Sequence, residues 1–222
     1  MSAPLPRRRK PVRRDEILAA AREVFLEHSF ENASVAEIAA RAGCVEGTIY
    51  TYFRSKRELL DALLVAFYDR LIGDVEKGFS AIVDTRTRLN YLIARHLQIA
   101  IDDPAFARMI VRESRGHGPY FGSQLHALNR RYGQFLMRTL RDGIERGELR
   151  ADLDAALARD LVFGGLEHHV WDRLARRRRF APARTAASIV ELLWTGWSAR
   201  AADDLRGLAR RVQRLERRID PR

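Results

Sequence analysis

Apolar residues return every three or four positions along most of this chain, and alternating stretches of useful length are absent. In "VRRDEILAAAREVFLEHSF", Ile17, Ala21, Val24 and Phe25 form one stripe, the mark of an amphipathic helix. "ENA" then interrupts the pattern. Ser34 stands at a helix start with Glu37 three residues on, the capping-box spacing, and opens "VAEIAARA". Gly43 ends that helix, where a left-handed residue is needed and glycine adopts it without cost. "VEGTIYTYF" reads as a short third helix. Ser55 reads as the cap of a long fourth, "KRELLDALLVAFYDRLIGDV". Further helices are expected near 86–101, 104–115, 121–146, 154–178 and 183–202, parted by "DDP", "RGHGP", "RGELRADLD" and "FAPA". The predicted fold class is all-α: an arm over 1–11, a three-helix unit over 12–58 and a larger helical body over 59–222.

The tail has its own period. Leu205, Leu208, Val212, Leu215 and Ile219 step by 3, 4, 3 and 4, which is a heptad seam within an amphipathic helix over about 203–219. Two heptads fit either a helix packed on its own domain or a seam that reinforces a dimer.

Spacing makes the three-helix unit specific. Ala39 is small enough to let a second helix cross closely, Gly43 turns the chain four residues later, and Ile49 is an apolar anchor six residues after that. Ile38 and Cys44 add apolar contacts on the same side. Two short helices joined by a tight glycine turn are a helix-turn-helix. Cys44 reads as a packed thiol, since a lone cysteine without partners makes no metal site.

Charge points to the partner. The 222 residues carry a formal charge of +11, and "RRRKPVRR" over 7–14 holds six basic residues and no acid. Such a footprint predicts nucleic acid before a membrane surface. Further basic runs are "RRRR" at 176–179 and "LARRVQRLERR" near the end. No apolar run reaches membrane-spanning length, no apolar signal core follows the basic start, and one cysteine suits a reducing compartment. The expected location is the cytoplasm. No G-x-S-x-G, phosphate-cradling glycine loop or H-E-x-x-H occurs, so no enzyme, cofactor or metal is expected.

The stretch from Ser34 to Leu59 resembles the DNA-binding region of the TetR family of bacterial transcriptional regulators, whose pattern runs T-x-x-x-I-A-x-x-A-G-V-S-x-G-T-x-Y-x-Y-F-x-x-K-x-x-L. Ser34, Ile38, Ala39, Ala42, Gly43, Gly47, Thr48, Tyr50, Tyr52, Phe53, Lys56 and Leu59 stand at corresponding places. The resemblance implies a contact surface made by Ser34, Val35, Val45, Glu46, Gly47, Thr48, Tyr50, Thr51, Tyr52 and Lys56, with Arg13 and Arg14 from the arm side. Gly47 would let the reading helix approach the duplex, and the tyrosine hydroxyls and Lys56 would meet phosphates. There are departures. Val45 replaces a common serine, so a cap and a phosphate contact are lost. Val35 replaces a common hydroxyl residue. Glu46 stands where a base is common. It suits a helix N-terminus and can accept from cytosine N4.

The resemblance also implies that the body binds a small molecule and forms a homodimer that reads a palindromic operator, most simply as a repressor. An activator, or an architectural protein without a ligand, are the alternatives. Dimer contacts are expected from Leu161, Gly164, Gly165, Leu166, Val170, Leu174, Ile189, Leu193 and Trp197. Ligand contacts are expected among Phe106, Met109, Ile110, Arg112, Phe121, Leu125, Leu128, Tyr132, Phe163, His168 and Trp171. "FGGLEHHVW" looks somewhat like regulators of fatty-acid metabolism that sense acyl-CoA thioesters, and a hydrophobic compound of another kind fits as well. His168 and His169 point about 100° apart on a helix, so they do not converge on a metal.

Overall fold

A computed structural model describes residues 10–115, 120–176, 178–199, 207–209 and 212. Among these, nine helices follow in order: α1 (Lys10–Asn32), α2 (Val35–Arg41), α3 (Glu46–Tyr50), α4 (Lys56–Phe79), α5 (Thr85–Asp102), α6 (Pro104–Arg115), α7 (Gln124–Glu145), α8 (Ala155–Ala175) and α9 (Pro182–Trp197). The chain divides into two compact units, residues 1–72 with 105–129 and residues 73–104 with 130–222. Among the described residues no helix is long and apolar enough to cross a membrane. Of the heptad positions in the tail, Leu208 and Val212 are described and exposed; Leu205, Leu215 and Ile219 lie outside the described residues.

In the first unit α1 packs on α2 and α2 on α3. The stripe of α1 is buried at Ile17, Ala21, Val24 and Phe25, as its period requires. The helix breaks two residues before "ENA" begins. Ser29 sits at φ 66°, ψ 164°, a region that L-residues avoid, so the α1 ladder cannot continue through it. Phe30 beyond the break packs 5.6 Å from Phe25. Ser34 caps α2 by accepting from Glu37 N at 3.1 Å. The Glu37 carboxylate meets His28 at 2.9 Å. At α4, Ser55 Oγ accepts from Glu58 N at 3.1 Å while Glu58 accepts from Arg54 N at 2.6 Å.

In the second unit α5 packs on α9 and α8. Asp84 caps α5 through Thr87 N at 2.8 Å, and Glu148 accepts from Thr85 N at 2.8 Å. Three helix ends differ from the sequence expectation. α7 starts at Gln124 because Ser123 Oγ accepts from His126 N at 3.2 Å, a cap. α8 stops at Ala175, where Arg176 takes the C-cap. α9 stops at Trp197 because Ser198 turns extended and bridges Leu149. Arg150 N donates to Trp197 O at 2.9 Å and Ala199 N to Glu148 O at 3.1 Å, contacts no local pattern announces.

Candidate nucleic-acid interface and a cavity in the helical body

The turn between α2 and α3 is built from backbone. Gly43 has φ 63°, Gly43 N donates to Ala40 O at 3.1 Å, and Cys44 N donates to Ala39 O at 2.9 Å. Burial pushes the Cys44 thiol up, away from thiolate chemistry. Ile49 and Phe53 turn inward and anchor α3 on the unit. The opposite side is presented outward: Val45 is 73% exposed and Tyr50 52%, and Glu46, Gly47 and Thr51 are exposed beside them. A Cβ added at Gly47 would meet nothing within 4 Å, so space inside the protein does not require glycine there. Val45 caps α3 without any side-chain bond, which leaves the amides of its first turn unsatisfied by side chains. Thr51 Oγ1 donates to Thr48 O at 2.6 Å. Ser34 is exposed, and Val35, Thr48 and Tyr52 are half-buried.

The expected basic contacts each have partners within the chain. Arg13 Nη1 donates to Ala42 O at 3.1 Å and pairs with Glu16 at 3.2 Å, so it fastens the turn to α1. Arg14 lies over the Phe53 ring at 5.2 Å. Lys56 Nζ donates to Glu31 O at 3.1 Å and Ala33 O at 2.8 Å, with the Phe30 ring 4.9 Å away. It closes the open end of α1, a role in which a cation at carbonyl groups is favoured. Arg7, Arg8 and Arg9 of the arm lie outside the described residues.

The second unit holds a cavity lined by Leu92, Ile93, His96, Tyr132, Phe135, Leu136, Val162, Phe163 and Leu166, with about 260 Å³ of empty space counted out to its mouth. His96 is its polar feature. The imidazole stacks 5.9 Å from Tyr132 and meets Phe163 edge-on at 5.5 Å. Its Nδ1 is buried without a hydrogen-bond partner among the described residues, although the residue keeps some exposed surface. Burial pushes the imidazole down to about 4, against a smaller upward pull from the Glu167 carboxylate. Burial likewise raises the Tyr132 hydroxyl far above its ordinary range. Sequence patterning did not single out His96, but the signal was there: it shares the apolar stripe of α5 with Leu89, Leu92, Ile93, Leu97 and Ala100.

That depression has a consequence for stability. The unfolded chain takes up a proton near its ordinary value of 6.5, the native ring only near 4. The stabilisation is therefore present above pH 6.5 and is lost as pH falls through that window. From pH 7 to pH 5 in urea unfolding, the wild type is expected to lose about 2 kcal/mol more than His96→Leu. Equal losses would mean that the native ring titrates as freely as in water.

Of the expected ligand residues, Tyr132 and Phe163 line this cavity. Phe106, Met109, Leu125 and Leu128 are buried in the first unit and Ile110 is half-buried there, Phe106 against Phe67 at 4.8 Å and beneath Arg22. Phe121 is 82% exposed, Arg112, His168 and Trp171 are also exposed, and none of them lines this cavity. The expected dimer residues divide as well. Leu166, Val170 and Trp197 are buried within the chain. Leu161, Gly164 and Gly165 are exposed, and Leu174, Ile189 and Leu193 are half-buried. Leu157, Trp171 and Leu192 add exposed apolar area on α8 and α9.

One group of metal-ligand types gathers among the described residues: Glu27, His28 and Glu37, within 4.8 Å of one another. Glu27 gives both oxygens to Arg41, at 2.7 and 2.8 Å, so a cation already sits there. Glu113 pairs with Arg57 at 3.0 Å, and His117 lies outside the described residues.

Known proteins place these features in a common frame. The family model described as "Bacterial regulatory proteins, tetR family" matches residues 17–63, and "YsiA-like protein, C-terminal region" matches residues 67–196. The chain is 27% identical over 181 residues to the fatty acid metabolism regulator protein of Bacillus subtilis (strain 168), covering 82% of this chain and 93% of that one. It is 29% identical over 157 residues to the transcriptional repressor KstR2 of Rhodococcus jostii, covering 67% and 74%. The crystal structure of the regulator FadR from Bacillus subtilis in complex with stearoyl-CoA matches with a TM-score of 0.76 at 27% identity, over 82% of this chain and 98% of that one. FadR from Bacillus halodurans matches with a TM-score of 0.74. The helix-turn-helix at 34–53 and the helical body after it thus form one protein, and the chain belongs to the tetR family of bacterial regulatory proteins.

Proposed function

We propose that this chain is a homodimeric repressor that reads a palindromic operator and releases it when an acyl-CoA or a similar amphipathic molecule binds the second unit. What supports the reading most is the similarity through both parts of the chain to a fatty acid metabolism regulator and to a regulator solved in complex with stearoyl-CoA. It acts in the cytoplasm, as a regulator and not as an enzyme. Ser34, Val35, Val45, Glu46, Gly47, Thr48, Tyr50, Thr51 and Tyr52 form the DNA contact. The outward positions of α3 have few partners inside the chain, and α3 lacks a side-chain cap, so its first amides are left for phosphate oxygens. Glu46 strengthens the helix start and leaves most of the phosphate attraction to the basic arm.

Leu157, Leu161, Gly164, Gly165, Trp171, Leu174, Ile189, Leu192 and Leu193 form the dimer face: apolar area left open on α8 and α9, which both pack on α5, is what a two-fold four-helix contact buries. Leu166, Val170 and Trp197 support that face from beneath. The effector enters beside Tyr132 and Phe163. It lowers DNA affinity only to the extent that it prefers the conformation that does not fit the operator.

The test is fluorescence anisotropy on DNA from upstream of the gene and on scrambled DNA, at two salt concentrations, with stearoyl-CoA added. The expected result is tight binding to the upstream DNA, two protomers per site, and release by stearoyl-CoA. Equal, salt-sensitive binding to both DNAs, unmoved by stearoyl-CoA, would instead identify an architectural protein.

A further inference from the structure

His96 is an unusual wall for a cavity meant for hydrocarbon. The other lining residues are aliphatic or aromatic, and Tyr132 is the only other one with a side-chain polar atom. Buried polar atoms are almost always bonded, so a buried nitrogen without a partner calls for an explanation. The ring is fixed rather than adrift, held between Tyr132 and Phe163. Among the described residues no partner within the protein serves instead: the Glu167 carboxylate acts on the ring through its charge, but it forms no hydrogen bond to Nδ1. A leucine at this position would continue the apolar stripe of α5 and cost no desolvation.

The state of the ring narrows what it recognises. It is neutral at physiological pH, because burial holds its protonation well below its ordinary range. A neutral imidazole does not neutralise a carboxylate or a phosphate, so the charged head of an effector belongs elsewhere. The partner is a neutral polar group on the part of the ligand that enters the apolar cavity. A hydroxyl both donates and accepts, so it satisfies Nδ1 in either tautomer. A ketone satisfies only the protonated nitrogen. The enclosed part of the cavity holds no more than about one water molecule, so a chain enters only when lining side chains move aside.

Building on the effector class argued above, we propose that the cavity reads a hydroxyl on the chain of the effector, through His96, and that the effector is a hydroxylated acyl thioester in preference to a saturated one. A hydroxyl displaced from water into this cavity regains a hydrogen bond at His96. A saturated chain fills the apolar space but leaves the nitrogen without a partner. Specificity of this kind comes from the penalty on the analogue that lacks the group.

The experiment titrates the full-length protein by calorimetry with stearoyl-CoA and with stearoyl-CoA hydroxylated at successive chain positions. The same chains are repeated as N-acetylcysteamine thioesters, which lack the phosphates of CoA. In the wild type, one hydroxylated isomer is expected to bind roughly tenfold tighter than the saturated chain, the worth of one hydrogen bond in an apolar site. In His96→Leu that preference is expected to vanish while saturated chains bind as well or better. In His96→Gln, which keeps a donor and an acceptor, part of it is expected to return. A saturated chain that binds as tightly as every isomer, or a preference that survives His96→Leu, would overturn the proposal. Discrimination among the N-acetylcysteamine thioesters without binding of any CoA form would leave the hydroxyl reading standing and overturn the CoA reading. No binding of any probe would overturn both.

Discussion

Gly47→Glu is expected to weaken operator binding roughly hundredfold while the melting temperature moves by no more than a few degrees. The two halves of that expectation have separate causes. A Cβ at position 47 meets nothing within 4 Å, so the protein accommodates a side chain. The position lies in the first turn of α3, where a carboxylate suits the helix dipole and any residue but proline is a better helix former than glycine. Stability is therefore held or slightly raised. The loss arises at the duplex. A longer side chain holds the α3 backbone away from the groove, and a second carboxylate beside Glu46 repels phosphates. Gly47→Ala separates bulk from charge, with an expected loss of about tenfold that is independent of salt. Anisotropy at two salt concentrations and thermal circular dichroism check both. Undiminished binding by Gly47→Glu would remove α3 from the reading surface.

How far the sequence spoke depended on how local each cause was. Gly43 announced the turn because only a few neighbouring residues decide it, and the backbone there has φ 63°. Ile49 announced the inner side of α3 by spacing alone, and it is buried. Ser34 and Ser55 announced helix starts for the same reason. Long cations escaped that logic. Lys56 looks like a phosphate contact in the family pattern, yet its ammonium bonds to Glu31 and Ala33, more than twenty residues away. Arg13 reaches Ala42 across a similar separation. Both side chains are long enough to choose partners that only the folded chain supplies. The end of α9 was hidden in the same way, since Ser198 leaves the helix to meet Leu149. His96 was visible as a polar residue on an apolar stripe, but the lack of a partner is a property of everything packed around it.

Phe25→Ala is expected to lower the unfolding free energy by about 3–5 kcal/mol, the range for emptying a buried aromatic site. Phe25 is 1% exposed near the middle of α1, and its ring lies 5.6 Å from Phe30. Phe30 in turn lies beneath Lys56 and Arg57, at 4.9 and 5.4 Å. Removing the Phe25 ring therefore empties the core of the first unit and loosens the site where Lys56 closes α1. The loss is a large part of the stability of an ordinary domain, about 5–15 kcal/mol. DNA binding is expected to disappear at 37 °C because the surface that reads DNA is no longer folded. Tyr50→Ala makes the contrast: that side chain is half exposed, so binding is lost with the unfolding midpoint unchanged. Urea unfolding at 25 °C beside anisotropy on the same samples distinguishes the two. The core variant loses stability and binding together, and the surface variant loses binding alone. A cost below about 1 kcal/mol for Phe25→Ala would mean that α1 does not pack on this ring, since exposed sites change stability by amounts of that order.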